Sequence, residues 1–136
     1  MGLRELIGRI RGRGDEPLGV RGERYAAEFL KRELGMRILA RNVACPQGEL
    51  DIVALDGEEL VFVEVRTRAT DAFGAPEDSI QTHKRATLRR AARWFIKSRR
   101  LGRYRVRIDA IGVIWTEGAA KPVVRYVRGA FRLQTR

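Results

Sequence analysis

The runs Gly48-Glu49-Leu50-Asp51-Ile52-Val53 and Leu60-Val61-Phe62-Val63-Glu64-Val65-Arg66 put acids and a cation inside segments otherwise built from Val, Ile, Leu and Phe. Segments of that composition form interior strands, where an ionised carboxylate is costly unless it is paired or bound to a cation. Asp51 and Glu64 therefore need a partner, and the fold must supply one.

The Asp56-Gly57 pair between the two runs is a hairpin signal, so strands over 49–55 and 60–67 are expected as antiparallel neighbours. A further strand is expected over 36–43, before the Pro46-Gln47-Gly48 loop. Strand alternation puts Glu49 and Asp51 together on one face of the second strand, and Glu64 and Arg66 together on one face of the third, so that their inward faces would share a site. A shared site requires a register that brings those faces together.

Helices are expected on either side of these strands. The first spans 22–34 and stops at Gly35, with an apolar stripe of Ala26, Ala27, Leu30 and Leu34; carried backward, the stripe lands on Glu23. The second spans 76–100 with Ile80, Leu88, Ala91, Ala92 and Phe95 as its stripe, and Lys84 falls in the same register. Beside it Arg85, Arg89, Arg93 and Lys97 form an i, i+4 row, with Arg90 and Arg100 close by. No acid occurs between Lys84 and Arg107, so this basic ridge has no local counter-charge. A strand over 104–115 follows by a parallel crossover, and a last strand over 123–127 closes the sheet as an edge. The whole is an α/β domain with a mixed central sheet.

The chain has 136 residues, enough for one ordinary domain over 18–131. Residues 1–17 read as a short basic leader without an export signal, and 132–136 as a basic tail. Arg and Lys outnumber acids 28 to 17, a net charge of +11. That excess favours a polyanion such as nucleic acid, or an anionic membrane surface; composition alone does not choose. The apolar runs are too short for a membrane helix. With one Cys and one His, Cys45 and His83, a Cys/His zinc site and an internal disulfide are excluded. The expectation is a cytoplasmic protein whose metal, if it has one, is held by oxygen.

One Asp, one Glu and a backbone carbonyl suffice for magnesium, which keeps several waters, and such a centre activates water and neutralises charge at a phosphodiester. Asp51, Glu64 and the Val65 carbonyl are candidates, with Glu49 as a further ligand. Bland readings stand beside this one. Asp51 and Glu64 pair with Arg66 or Lys84 in a purely structural network, Glu49 is a solvated strand-end acid, Glu23 answers a helix dipole, and Lys84 reaches past its stripe to water. Asp109 is expected to be structural, bonding near a strand end or pairing with an Arg, His83 to be exposed, and Trp94 and Trp115 to pack in the core, with stacking on bases as the alternative.

Taken in order, Gly22-Glu23, Arg41-Asn42, Gly48-Glu49-Leu50-Asp51, Phe62-Val63-Glu64-Val65-Arg66, Phe73-Gly74, Lys84 and Arg107-Ile108-Asp109 resemble the YraN family of endonuclease-like bacterial proteins. That family lies within the PD-(D/E)XK nuclease superfamily, with relatives among archaeal Holliday-junction resolvases. The resemblance covers residues 18–115 and implies a restriction-endonuclease-like core of helix, three strands, helix and strand. It implies Mg²⁺ or Mn²⁺ on Asp51 and Glu64, Glu23 as an accessory acid, and Arg66 where the superfamily carries Lys. Arg stays charged and is no general base at ordinary pH, so Arg66 or Lys84 is left to stabilise transition-state charge.

The reading is a metal-dependent endonuclease that holds DNA on Arg85, Arg89, Arg90, Arg93, Lys97 and Arg100 and selects by structure rather than sequence. The alternatives are a non-catalytic nucleic-acid-binding module on a degenerate nuclease fold, and a protein- or RNA-associated factor with a structural ion network. Cutting both strands of a four-way junction calls for a homodimer; the sequence announces no dimer interface.

Overall fold

The computed structural model describes residues 16–70, 72 and 74–133; the basic leader, save Glu16 and Pro17, and the last three residues lie outside them. Helix α1 spans Leu18–Arg32, strands β1 Arg37–Cys45, β2 Gly48–Asp56 and β3 Glu59–Arg68. A 3₁₀ turn over Pro76–Ser79 precedes helix α2, Thr82–Ser98, and strands β4, Arg105–Ile114, and β5, Val123–Phe131, complete the chain. The sheet order is β1-β2-β3-β4-β5. Among the described residues β3 and β4 pair parallel, across the helical crossover such a pair needs, and the other neighbouring pairs are antiparallel.

The two helices cover opposite faces. Ala26, Ala27 and Leu30 of α1 pack on Ile52, Ala54, Val61, Val63, Ile111 and Val113. Leu88, Ala91, Ala92 and Phe95 of α2 pack on Leu50, Val53, Leu60, Phe62, Ile108 and Ala110. At its centre Phe62 meets Phe95 edge-on, with centroids 5.9 Å apart. Burying one such aromatic ring contributes roughly 2–3 kcal/mol.

Helix α1 approaches β3 at Gly22, where an added Cβ would lie 2.0 Å from Thr67 Oγ1. Only glycine permits that approach, and it carries the next residue, Glu23, to the sheet. The helix ends by a left-handed Gly35 (φ 66°), with the Met36 amide donating to Leu30 O at 3.0 Å; the buried Met36 side chain seals the turn. Leu34, expected in the stripe, lies past the helix and is 38% exposed.

The second helix is shorter than its periodicity predicts. Ile80 is extended (φ −95°, ψ 107°) and separates the 3₁₀ turn from α2, yet it is buried in the same core, so its place in the apolar pattern survives without helical geometry. Arg85 bridges the break, donating to Ile80 O at 3.0 Å and Glu77 O at 2.8 Å.

Strand β5 runs four residues beyond the expected end and bulges at Gly129 (φ 62°). The bulge lets the Gly129 amide donate to Asp109 Oδ1 at 2.8 Å. Asp109 is fully buried and also accepts from the Arg107 guanidinium and the Tyr126 hydroxyl. Arg107 donates in turn to Glu59 at 3.0 Å and Asp56 at 2.9 Å. This network pairs Asp109 as expected, and it ties the β2–β3 hairpin to β4 and β5. Burial, Asp109 and its hydrogen bond push the Tyr126 hydroxyl above its ordinary value.

Candidate functional site

The β2–β3 ladder runs from Asp56–Glu59 to Ile52–Val63 and then stops. The strands part beyond it, and the Val65 amide donates to Asp51 Oδ2 at 2.9 Å instead of to a β2 carbonyl. A strand residue turns its N–H and C=O toward the same edge, so the Val65 carbonyl also faces this fork.

The fork arises because β1 and β2 turn over together. Leu50 packs under α2 whereas Ile52 packs under α1, although a regular strand would set them on one face. Ala40 and Val43 of β1, three residues apart, both pack on the α2 side. Between the paired Arg41–Ile52 and Val43–Leu50 stand Asn42 and Asp51, and Asn42 is left-handed at φ 51°.

Acids converge there from three elements. Glu23, Glu49 and Asp51 each present an oxygen within 4.8 Å of the others, and Glu64 lies beside Asp51. Glu23 comes from the helix on one face. Glu64, between two valines that pack under α1, points to the other face and meets Lys84 Nζ at 3.6 Å. The predicted meeting of Asp51 and Glu64 therefore occurs through an opening in the sheet, not on a common face.

Burial and neighbouring negative charge raise two of these carboxyls. Glu64 is 2% exposed; burial first, then Asp51, push it up to about 7 against the opposing pull of Lys84 and Arg66. Burial, Asp51 and Glu49 likewise raise Glu23 to about 7, with Arg41 opposing. The negative charge of Asp51 bears on both glutamates, and carboxyls crowded in this way favour holding a proton among them. A divalent cation would replace protons as the counter-charge.

The Asn42 amide nitrogen, in the orientation its neighbours require, donates to Glu23 Oε2 at 2.9 Å and Glu49 Oε1 at 3.2 Å. Asn42 is the member of the cluster to which sequence reasoning gave no role; its signal was an Asn, tolerant of left-handed backbone, in the middle of a strand.

The basic row on α2 is only partly an outer ridge. Arg89 donates to Arg132 O at 2.7 Å and Arg93 to Leu133 O at 2.8 Å, and Arg85 and Arg89 both lie over the Phe131 ring. These three clamp the chain leaving β5. Arg90, Lys97 and Arg100 are exposed, as is His83. Trp115, just past β4, meets Tyr25 edge-on and lies under the Arg21 guanidinium, and Trp94 packs beside the α2 core. A cavity of about 640 Å³ between β4 and the end of β5 is lined by Val106, Arg107, Gly129, Phe131 and Leu133, none of them from the carboxylate cluster.

The fold and site define an α/β protein whose five-stranded mixed sheet opens onto a carboxylate cluster. The chain belongs to the uncharacterised protein family UPF0102, also called YraN, whose model matches residues 22–113. A UPF0102 protein of Moorella thermoacetica is 45% identical over 111 residues, covering 81% of this chain and 91% of its own. One from Beutenbergia cavernae is 47% identical over 119 residues, covering 86% and 98%, and one from Clostridium perfringens is 34% identical over 119 residues, covering 88% and 97%. Among the described residues no helix is long and apolar enough to cross a membrane.

Proposed function

We propose that this chain is a Mg²⁺- or Mn²⁺-dependent endonuclease with a restriction-endonuclease-like core, acting on DNA by structure rather than by sequence. The observation that carries this reading is the convergence of Glu23, Glu49, Asp51 and Glu64 where the β2–β3 ladder stops, two of them raised to about 7 by burial and neighbouring negative charge. An all-oxygen donor set with a backbone carbonyl at the same edge suits a hard divalent cation.

Asp51 and Glu64 would hold the ion with the Val65 carbonyl, and Glu49 adds a ligand from the exposed side. When bound, the ion supplies Lewis-acid polarisation of a phosphate and a water of lowered pKa. Asp51 keeps the fork open by holding the Val65 amide. Lys84, half exposed above Glu64, and Arg66 present positive charge to the developing phosphorane. Arg66 does so without exchanging a proton, and Glu23 assists from α1. Arg90 and Lys97 lie on the outer face of α2 and Arg100 just past its end, all exposed, a basic surface suited to a phosphate backbone. Such contacts give affinity with little base specificity.

The test is cleavage of single-stranded, flap, junction and duplex DNA with Mg²⁺ or Mn²⁺, beside Asp51→Ala and Glu64→Ala. Metal-dependent cleavage of at least one substrate, lost in both variants, is expected. No cleavage and no Mn²⁺ binding by the wild-type chain overturns the reading. Arg66, a cation that cannot act as a base, favours one second reading: a non-catalytic DNA-binding module. That protein would bind DNA with steep salt dependence and cut nothing.

A further inference from the structure

Asn42 combines three features that are separately unremarkable. Its backbone is left-handed in the middle of β1. It faces Asp51 across the β1–β2 pair at the place where both strands turn over. Its amide spans Glu23 on α1 and Glu49 on β2, two carboxylates that repel and belong to elements with no covalent reason to stay aligned.

Each of the two amide protons occupies one carboxylate oxygen, which leaves the other oxygen of each glutamate free of the amide, and the three acids already present oxygens within 4.8 Å of one another. No other residue type does this as well at the same position. Aspartate tolerates the backbone but adds an acceptor, glycine tolerates it but has no amide, and glutamine has the amide but accepts left-handed backbone less readily. We propose that Asn42 is a positioning residue for a divalent cation, fixing the outer glutamates so that Glu49 presents its ligand oxygen, and Glu23 its accessory carboxylate, at the point where Asp51 stands. The inference rests on the metal-centre reading above and adds to it the group that orients the ligands.

The experiment measures Mn²⁺ affinity by calorimetry, with thermal unfolding in parallel, for the wild-type full chain, Asn42→Gly and Asn42→Asp. Asn42→Gly keeps the backbone conformation and removes the amide. Its Mn²⁺ dissociation constant is expected to rise about tenfold, the lower end of what losing a hydrogen-bond partner of a metal ligand costs, while its Tm stays near wild type. Asn42→Asp is expected to unfold at lower temperature without metal and to gain more from Mn²⁺ than wild type does, since the cation then neutralises one more acid.

Wild-type affinity in Asn42→Gly, or a lowered Tm with an unchanged dissociation constant, makes Asn42 structural and overturns this inference alone. An Asn42→Asp chain whose Tm responds to Mn²⁺ as wild type does also overturns it. Absence of Mn²⁺ binding by the wild-type chain overturns the metal reading and this inference together.

Discussion

Asp51 accepts the Val65 amide at 2.9 Å, so a side chain makes the bond that a β2 carbonyl would make if the ladder continued past Ile52–Val63. That substitution holds the strands apart. It also fixes one oxygen of Asp51 at the point where Glu23 arrives from one face of the sheet and Glu64 from the other.

Removing the Asp51 charge relieves both glutamates. Asp51→Asn retains an oxygen for the Val65 amide and is expected to raise the metal-free Tm at pH 8 by roughly 3–5 °C, the shift that about 1 kcal/mol gives in a domain of this size. Mn²⁺ binding is lost in the same variant. A fall in Tm would mean that Asp51 stabilises the fold even without a cation.

Glu23 and Glu64 sit at about 7 in the folded chain against 4.5 for the free side chain. The folded state therefore holds more protons than the unfolded state between those values, and stability falls as pH rises through that window. Their contribution is complete below about pH 4.5 and gone above about pH 7. Unfolding of the metal-free protein between pH 5 and 8 should show this decline, and Asp51→Asn should flatten it. Mn²⁺ affinity is expected to rise over the same interval, because bound ligands must be deprotonated.

Gly22→Ala puts a methyl group 2.0 Å from Thr67 Oγ1 and 2.5 Å from its Cγ2. The helix must lift or the strand must shift, at a cost of about 2–3 kcal/mol in denaturant unfolding. Thr67→Ala removes both of those atoms and is expected to recover part of the loss. Because Glu23 follows Gly22, the single variant should also bind Mn²⁺ more weakly.

Arg107→Met strands Asp109, which is fully buried, and is expected to cost about 3–5 kcal/mol, as breaking a buried pair does. Tyr126→Phe removes one donor to the same carboxylate and should cost roughly 1–3 kcal/mol. Mn²⁺ affinity of the Tyr126 variant should match wild type, since none of this network belongs to the carboxylate cluster.

Arg66→Lys tests whether the permanent charge at that position limits catalysis. Lysine delivers a proton-exchanging cation where arginine does not, so Mn²⁺-supported cleavage is expected to rise about a hundredfold, the low end of what general acid–base catalysis supplies. An unchanged rate assigns the cationic role to Lys84, and Lys84→Met should then abolish cleavage.

The elements themselves were legible in the chain. Alternating and 3.6-residue patterns depend on which face of a strand or helix meets the core, and that is written locally. Asp56-Gly57 specified the β2–β3 hairpin, Gly35 the end of α1, and Glu23 and Lys84 fell in the apolar registers that point at the sheet. Even Ile80 kept its place in the core although the helix broke around it.

Local pattern failed where the chain departs from regular geometry. Leu34 and the first four residues of α1 were misassigned because helix ends are set by caps and contacts more than by periodicity. The basic row read as a free ridge because the carbonyls that engage Arg89 and Arg93 lie some forty residues away.

By itself the sequence determined that acids lie inside apolar strands and that the chain is too poor in Cys and His for a Cys/His zinc site within one chain. It also settled that one helix lies on either side of a β-hairpin. Only the tertiary structure decided that β1 and β2 turn over at Asn42 and Asp51, opening the sheet so that Glu23 and Glu64 reach one point from opposite faces. The physical reason is that turning over a strand pair involves two segments at once, and a pattern read along one strand contains no record of its partner.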